Sequence, residues 1–471
     1  MRGLMVIFMV GLICTGLISA SFCAEVNTDK SMDHAQVVVV GAGMAGLMSS
    51  ITLAERGIEV ILLEKEDIVG GKMYSPVLDG INCNLGTQYL FRGIHPVVDN
   101  YVKSLKIQPI EIGGYMWKGK FERVSKKMED IFPAPDELEN DLTLAFEQLN
   151  IDRQLAAKGK EFFFDVEPEN DLWAALENIN SYEYLSKFPE GVYDFINAET
   201  GVEAGGTLKN LSAIVLVGWD GDENQGKFLV KGGNQVFAEK ITDGFVDAGG
   251  CLYLNSEVKK ITQSVESVKI ECDDGRIFTS DYVVVATPAD VTRDIVSNLT
   301  VEKIRALEAV GYSKILELGL HLKNFPDNKG LGAVLFVGEC INGLINQTGP
   351  IIGKPDRGTI VSICITDPET MKLNDKEVIA RSAGVLKKIS PEFDPESDIL
   401  SYLIKRWEKG VYSWPAGFAA RHQNMLRKPV GRIYFAGDYT GDPTLMGAAW
   451  SGIRAAEKIS NVIKGINIKN H

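Results

Sequence analysis

The chain has 471 residues, 45% hydrophobic and 24% charged, with 63 acidic side chains against 49 basic ones and a net charge of -14. That length supports two or three domain-sized cores able to enclose a sizeable ligand. The acidic balance argues against a nucleic-acid partner, whose phosphates it would repel.

Residues 4–24 contain no charge, Arg2 precedes the run, and Ser19, Ala20 and Ser21 follow its apolar core. Such a segment is a secretory signal or an N-terminal anchor. Residues 1–34 are therefore set apart from the fold, and the protein is expected to be exported or membrane-anchored, with membrane association through the N-terminus. Only one arginine is present there, so the twin-arginine signal for proteins exported already folded is missing.

Val37 to Val40 read as a buried strand, and Gly41, Ala42, Gly43, Met44, Ala45 and Gly46 form the turn that opens a helix. The three glycines divide the labour between a tight turn, close backbone approach to a pyrophosphate and helix-to-strand packing, with the phosphate on the helix's positive end. A second strand, Val60 to Leu63, ends at Glu64, 18 residues beyond Gly46, where a carboxylate accepts hydrogen bonds from ribose hydroxyls. Lys65 follows it. Gly70 and Gly71 again permit close backbone approach, and Lys72 adds a cation for the pyrophosphate. A dinucleotide site is expected.

Further along, residues 101–224 carry helical patterns such as 136–149 and the aromatic-rich 177–196, most of whose rings are expected in the core. Residues 291–424 hold strand-like runs at 315–322, 333–337 and 360–365, then a helical stretch at 374–389, so a sheet backed by helices is expected. Near the C-terminus Ile433 to Ala436 read as a strand, Gly437 and Asp438 as its turn, and 447–459 as a helix rich in small residues. Outside the leader, Cys83, Cys251, Cys272, Cys340 and Cys364 form no CxxC pair and are expected as buried thiols. Five scattered histidines suggest no metal site.

The glycine turn with its acid, the Gly70–Gly71 doublet and the segment 431–459 together resemble the flavin-dependent amine oxidase superfamily, which includes monoamine and polyamine oxidases, protoporphyrinogen oxidase and carotenoid desaturases. The resemblance covers nearly all the chain after residue 35. Residues 229–241 look like the family's GG segment before a helix. Residues 255–261 look like its adenine-side strand, where the backbone of Val258 would meet the base. Residues 84–91, with Gly86, Thr87 and Gln88, resemble the stretch that passes the isoalloxazine ring. The implied cofactor is FAD, its ADP half on the first motif and its flavin half at Asp438. It would be held noncovalently, since residues 412–438 contain no cysteine of the kind to which monoamine oxidases attach it.

The implied fold is α/β: a Rossmann-like FAD-binding domain assembled from discontinuous segments, 35–100, 225–290 and 425–467, with an α+β substrate domain from 101–224 and 291–424. Residues 309–322 resemble the polyamine-oxidase strand whose lysine holds a water near flavin N5, which makes Lys314 the catalytic candidate. A lysine in an otherwise apolar strand would also be costly to bury without a partner. Trp414, in a segment that looks closest to polyamine oxidases, is expected to reach the flavin or substrate cavity. Two departures weaken classical amine oxidation: Thr444 stands where amine oxidases usually place a cage tyrosine, and Asn84 where the family commonly has an acid. The expected activity is oxidation of a C–N or adjacent C–C bond of a small molecule, with oxygen or another electron acceptor. A desaturase-like or protoporphyrinogen-oxidase-like enzyme on an apolar substrate, or a flavin-binding partner protein without turnover, are the alternatives.

Overall fold

In the computed structural model, described over residues 33–91, 96–127, 135–157, 170–220, 227–323, 331–349 and 358–465, two seven-stranded sheets organise the chain. The leader lies almost entirely outside the described residues. Among those described, no helix is long and apolar enough to cross a membrane.

The first sheet runs in the order Cys251–Tyr253, Val60–Leu63, His34–Val40, Ile277–Val285, Val268–Cys272 and Val258–Gln263, with Ile433–Phe435 paired to the far end of Ile277–Val285. Its central strands are parallel. Parallel strands are covered on both faces, which is why they read as unbroken apolar runs. Val37 and Val39 pack with Leu47, Ile51 and Ile453, while Val38 and Val40 pack with Ile261, Phe278 and Ile433 on the opposite side.

Two helices meet on the first of those faces, Met44–Ala54 and Leu445–Ile463. Gly452 lets them touch: a Cβ there would lie 2.1 Å from the Ala45 carbonyl oxygen. The Ser49 hydroxyl then donates to the Gly452 carbonyl at 3.0 Å. The helix Leu445–Ile463 is thereby fixed to Met44–Ala54, and the turn before it comes to the glycine loop.

The second sheet runs Ile399–Tyr412, Tyr312–Leu322, Thr359–Ile365, Gly343–Asn346, Ala333–Phe336, Glu111–Trp117 and Lys120–Lys127. All its pairs are antiparallel except Ala333–Phe336 with Glu111–Trp117. Leu316, Leu318, Leu320 and Leu322 face an apolar layer closed by Val378, Ala383 and Leu386 of the helix Asp375–Ile389. That helix starts with a capping box of Asn374 and Glu377. On the opposite face of the same strand, a Cβ on Gly319 would meet Cys83 Sγ at 3.0 Å, so residues 83–85 lie directly against the sheet.

The expected strands and helices of 291–424 are present. The expected aromatic core of 177–196 is also present at Tyr184 and Phe195, whereas Tyr182 is exposed. The reading of 101–224 as helical was incomplete, because Glu111–Trp117 and Lys120–Lys127 are the outer strands of the second sheet. The long strand Ile399–Tyr412 has no simple alternation in the sequence, because its lysines and arginine interrupt it. All five cysteines outside the leader are free thiols.

Candidate cofactor and substrate site

The glycine turn is shaped by contacts that exclude side chains. Gly41 has φ +100°, and a Cβ on Gly46 would lie 1.7 Å from the Gly41 carbonyl oxygen. A Cβ on Gly43, by contrast, would find no atom within 4 Å. This open space stands at the N-terminus of Met44–Ala54, where Gly43 supplies no side-chain cap and the first amides of the helix keep their hydrogens available. A pyrophosphate fits that cradle, bound by amides and the helix dipole. Met44 and Ala45 turn their side chains into the core and offer only backbone.

Glu64 is buried behind this turn. One oxygen accepts the Ala42 amide at 2.6 Å and the other the Glu66 amide at 3.0 Å. Burial raises its pKa, opposed by those two amides. The carboxylate therefore shapes the loop itself, with lone pairs left over for ribose hydroxyls. Lys65 stays exposed beside Glu66. Gly70 donates to the Ala42 carbonyl at 2.8 Å, and Gly71, at φ +59°, would place a Cβ 3.2 Å from Gly43 Cα. The doublet thus packs back-to-back on the first glycine turn.

Lys72 differs from expectation. Its ammonium pairs with Asp438 at 2.8 Å and stands 5.9 Å from the centre of the Tyr312 ring, so it bridges to the C-terminal motif. Gly86 packs on the Lys72 carbonyl, where a Cβ would come to 2.1 Å, and the Thr87 amide donates to the same oxygen at 2.8 Å. The loop after Gly437 is held by Arg427 and Arg454, both donating to the Thr440 carbonyl, at 2.8 and 2.6 Å. The segment around Lys72, the turn at Asp438 and the strip 84–88 therefore converge around one ion pair. Val258 is a buried side chain at the start of its strand, paired with Cys272.

Asn84 has a structural reason to be an amide. Its Oδ1 accepts from Ser75 Oγ at 2.7 Å and from the Asn234 amide at 2.9 Å, while its Nδ2 donates to the Gln88 carbonyl at 3.1 Å. An aspartate would lose that donor.

Beside the strip is a cavity of about 80 Å³, lined by Gln88, Tyr89, Ser362 and Cys364 on one side and by Glu199, Glu203 and Lys227 on another. Lys227 pairs with Glu203 at 3.1 Å and with Glu199 at 3.9 Å, and the Tyr89 hydroxyl donates to Glu203. Burial raises the pKa of Glu199, partly offset by Lys227. None of these acids stood out in the sequence. Glu199 and Glu203 do lie four residues apart on the helix Glu190–Glu203, a spacing that puts both on one face.

Three expected site residues have surroundings that the sequence does not announce. Lys314 is not a buried cation: it lies where the pairing of Tyr312–Leu322 with Ile399–Tyr412 shifts between Ser313 and Ile315, is 63% exposed, and pairs with Glu408 at 2.5 Å. Trp414 does not reach a cavity. It is fully buried among helices of the substrate region, 6.1 Å from the Tyr412 ring, with its carbonyl accepting the Ser212 amide. Thr444 caps the C-terminal helix by accepting the Gly447 amide at 2.9 Å, so its residue type answers to helix geometry.

The cost of burying a charge, expected at Lys314, is found at Lys303 and Glu317. Lys303 donates to the carbonyls of Met425, Leu426 and Lys428 and lies 3.8 Å from the centre of the Phe435 ring, fastening the end of Asn424–Arg427. Glu317, 3% exposed, faces Gln88 and Cys364.

A sheet with a parallel core joined to a largely antiparallel second sheet, with a glycine cradle answered by a C-terminal acid, fits a flavin-type oxidoreductase. The chain belongs to the flavin containing amine oxidoreductases, whose family model matches residues 44–460. Polyamine oxidase 1 of Zea mays is 26% identical over 93% of this chain and 92% of its own length. The 15-cis-phytoene desaturase of Narcissus pseudonarcissus is 25% identical over 94% and 82%. A putrescine oxidase redesigned in its cofactor binding shares the fold, with a TM-score of 0.74 at 20% identity over 90% of this chain and 99% of its own. The protein is an FAD-dependent oxidoreductase.

Proposed function

We propose that the protein oxidises the C–N bond of a small amine, with noncovalent FAD and with oxygen as the final electron acceptor. The observation that carries this reading is the cavity beside Gln88, where Glu199 and Glu203 face a single Lys227. Two carboxyl groups share one ammonium there, so oxygen acceptors outnumber the charged donor in a partly desolvated space, which favours a guest that brings N–H donors and positive charge. An apolar polyene or porphyrinogen would instead have to strip water from these groups without replacing their hydrogen bonds.

When bound, FAD supplies the hydride acceptor; the protein's own residues bind, orient and exclude water. The amides at Gly43 to Ala45 would hold the pyrophosphate and Glu64 the ribose. The Lys72–Asp438 pair would meet the flavin end, with the strip 84–88 against the ring. Lys314 remains the candidate at the reacting atoms on one geometric ground: Tyr312, two residues earlier in its strand, packs against Lys72. The uncharged run at 4–24 supports export or N-terminal anchoring.

The test is anaerobic mixing of the flavin-loaded protein with a panel of mono- and diamines and of apolar polyenes. Rapid bleaching of the flavin by an amine, slowed or requiring more amine in Glu203→Gln, is the expected result. Bleaching by apolar compounds alone would refute the amine reading and favour the desaturase one.

A further inference from the structure

Lys227 brings a cation to the cavity from a backbone held on both edges. The strand Lys227–Val230 pairs with Leu90–Phe91, which sets Lys227 opposite Phe91, and the Lys227 carbonyl accepts the Ile110 amide at 3.2 Å. Phe228, Leu229 and Val230, which follow it, are buried. The Lys227 side chain is 17% exposed, and its ammonium lies 3.1 Å from Glu203, 3.9 Å from Glu199 and 4.8 Å from the centre of the Tyr89 ring. Tyr89 donates its hydroxyl to the same Glu203 oxygen that accepts from Lys227.

Two carboxyl groups one helical turn apart, with an aromatic ring beside them, make a cage suited to an ammonium ion. Both carboxyls come from the last turn and a half of Glu190–Glu203, and the negative end of the helix dipole adds to their attraction for a cation. In this chain the cage is filled by the protein itself. A lysine side chain is an ammonium on a flexible alkyl stem, so what fills the cage is chemically the end of an alkylamine, tethered to a strand.

Little room is left beside it. The cavity of about 80 Å³ is space for roughly five to eight water-sized groups, and its far wall is apolar, formed by Ala333, Val334, Leu344 and Ile345. A guest with one ammonium can use the acceptors that Lys227 leaves over, on the side of Glu199, where the existing pairing is longer. A guest with a second ammonium would have to press it against the apolar wall, losing its hydration, or against the Lys227 ammonium.

We propose that Lys227 is a specificity-determining residue: its ammonium occupies the cage of Glu203, Glu199 and Tyr89 as a tethered stand-in for the second ammonium of a diamine, so the site takes guests with one positive charge and rejects those with two. The choice of amines as guests rests on the function proposed above; the filled cage rests on the distances around Lys227. A Lys227 that merely neutralised a helix end would change stability when substituted and leave the choice between guests untouched.

The experiment follows anaerobic reduction of the flavin at neutral pH by butylamine and by putrescine, which carries a second ammonium at the far end of the same carbon chain. The proteins compared are the wild type, Lys227→Met and Lys227→Arg. Because like charges brought together are strongly disfavoured, the wild type should prefer butylamine by at least about tenfold in rate at low amine concentration. Lys227→Met, which keeps the length and loses the charge, should lose that preference, and Lys227→Arg should retain it. Lys227→Gln, which still donates a hydrogen bond to Glu203, takes the place of the methionine variant should that one fail to fold. A wild type reduced as readily by putrescine as by butylamine, or a preference unchanged in the neutral variant, would overturn the proposal. Thermal unfolding gives a readout that needs no turnover: ethylammonium chloride, against sodium chloride at equal ionic strength, should raise the melting temperature of the neutral variant and not that of the wild type. Equal shifts in both would show that Lys227 does not fill the cage. Failure of every amine to reduce the flavin would refute the amine reading and with it the choice between amines, while the melting comparison would still decide whether the cage is filled.

Discussion

The two sheets were legible to very different degrees. The first has a parallel core buried on both faces, so the strands there are short unbroken apolar runs, a pattern visible at Val37 to Val40, Val60 to Leu63 and Ile433 to Ala436. In the second, one face packs on Asp375–Ile389 and the other meets the strip 83–88 and the cavity. Its strands therefore carry Glu317, His321, Lys405 and Trp407 among their apolar positions, and partners arrive from far along the chain. Local pattern is informative where burial is symmetric and weak where one face is a binding surface.

The difference can be broken from the side of the first sheet. Gly46→Ala puts a methyl 1.7 Å from a backbone carbonyl that cannot turn aside. It should cost more than about 3 kcal/mol and yield little soluble, flavin-loaded protein. Thermal unfolding and the flavin-to-protein ratio of whatever is recovered measure this. A stable yellow Gly46→Ala variant would mean that helix and turn are not in contact as described.

Lys303 lies at the seam between the regions, and Lys303→Met should destabilise by about 1 to 3 kcal/mol by leaving three carbonyls without their donor. The effect should depend on pH with a definite sign. Burial pushes this ammonium down to about 7 from an ordinary 10.5, so between those values the unfolded chain binds more protons than the folded one. Wild-type stability should therefore rise from pH 7 to 10.5 relative to the methionine variant and run parallel to it below pH 7. Parallel curves across the whole range would show that Lys303 does not titrate.

Glu64→Ala sharpens the comparison by removing a residue read correctly from the sequence but given a second task by the fold. Loss of charge-assisted hydrogen bonds costs about 1.5 to 3 kcal/mol, so the FAD dissociation constant should rise roughly tenfold to a hundredfold. Because Glu64 also holds the Ala42 and Glu66 amides, the apoprotein should lose stability as well. An unchanged dissociation constant would remove Glu64 from the ribose site.

Lys314→Met should have the smallest structural effect. Both it and Glu408 are largely exposed, and such a pair is worth about 0 to 1 kcal/mol, so unfolding should hardly change. A flavin half-reaction should nonetheless slow by at least about tenfold if the lysine serves proton transfer at the ring. Measuring the reductive and oxidative halves separately locates the effect, and equal rates in both would make Lys314 a surface residue.

The parallel strands, the glycine cradle, the acid behind it and the late Gly437–Asp438 turn are all legible from the residues alone, because each depends on backbone conformations and spacings that few residue types permit. It also contained a valid physical rule, that a charge in an apolar strand signals a site, without saying which charge. The choice between them depends on packing. A shift in strand pairing leaves Lys314 exposed, while the alternation of Tyr312–Leu322 carries Glu317 inward onto Gln88, a neighbour 229 positions away in the chain. Trp414 and Thr444 were decided in the same way, the one enclosed by helices that no local pattern announces, the other taken up by a helix end. Which face of a strand is buried, and against what, depends on the register and partners assembled from distant segments, and those are set by packing of the whole chain.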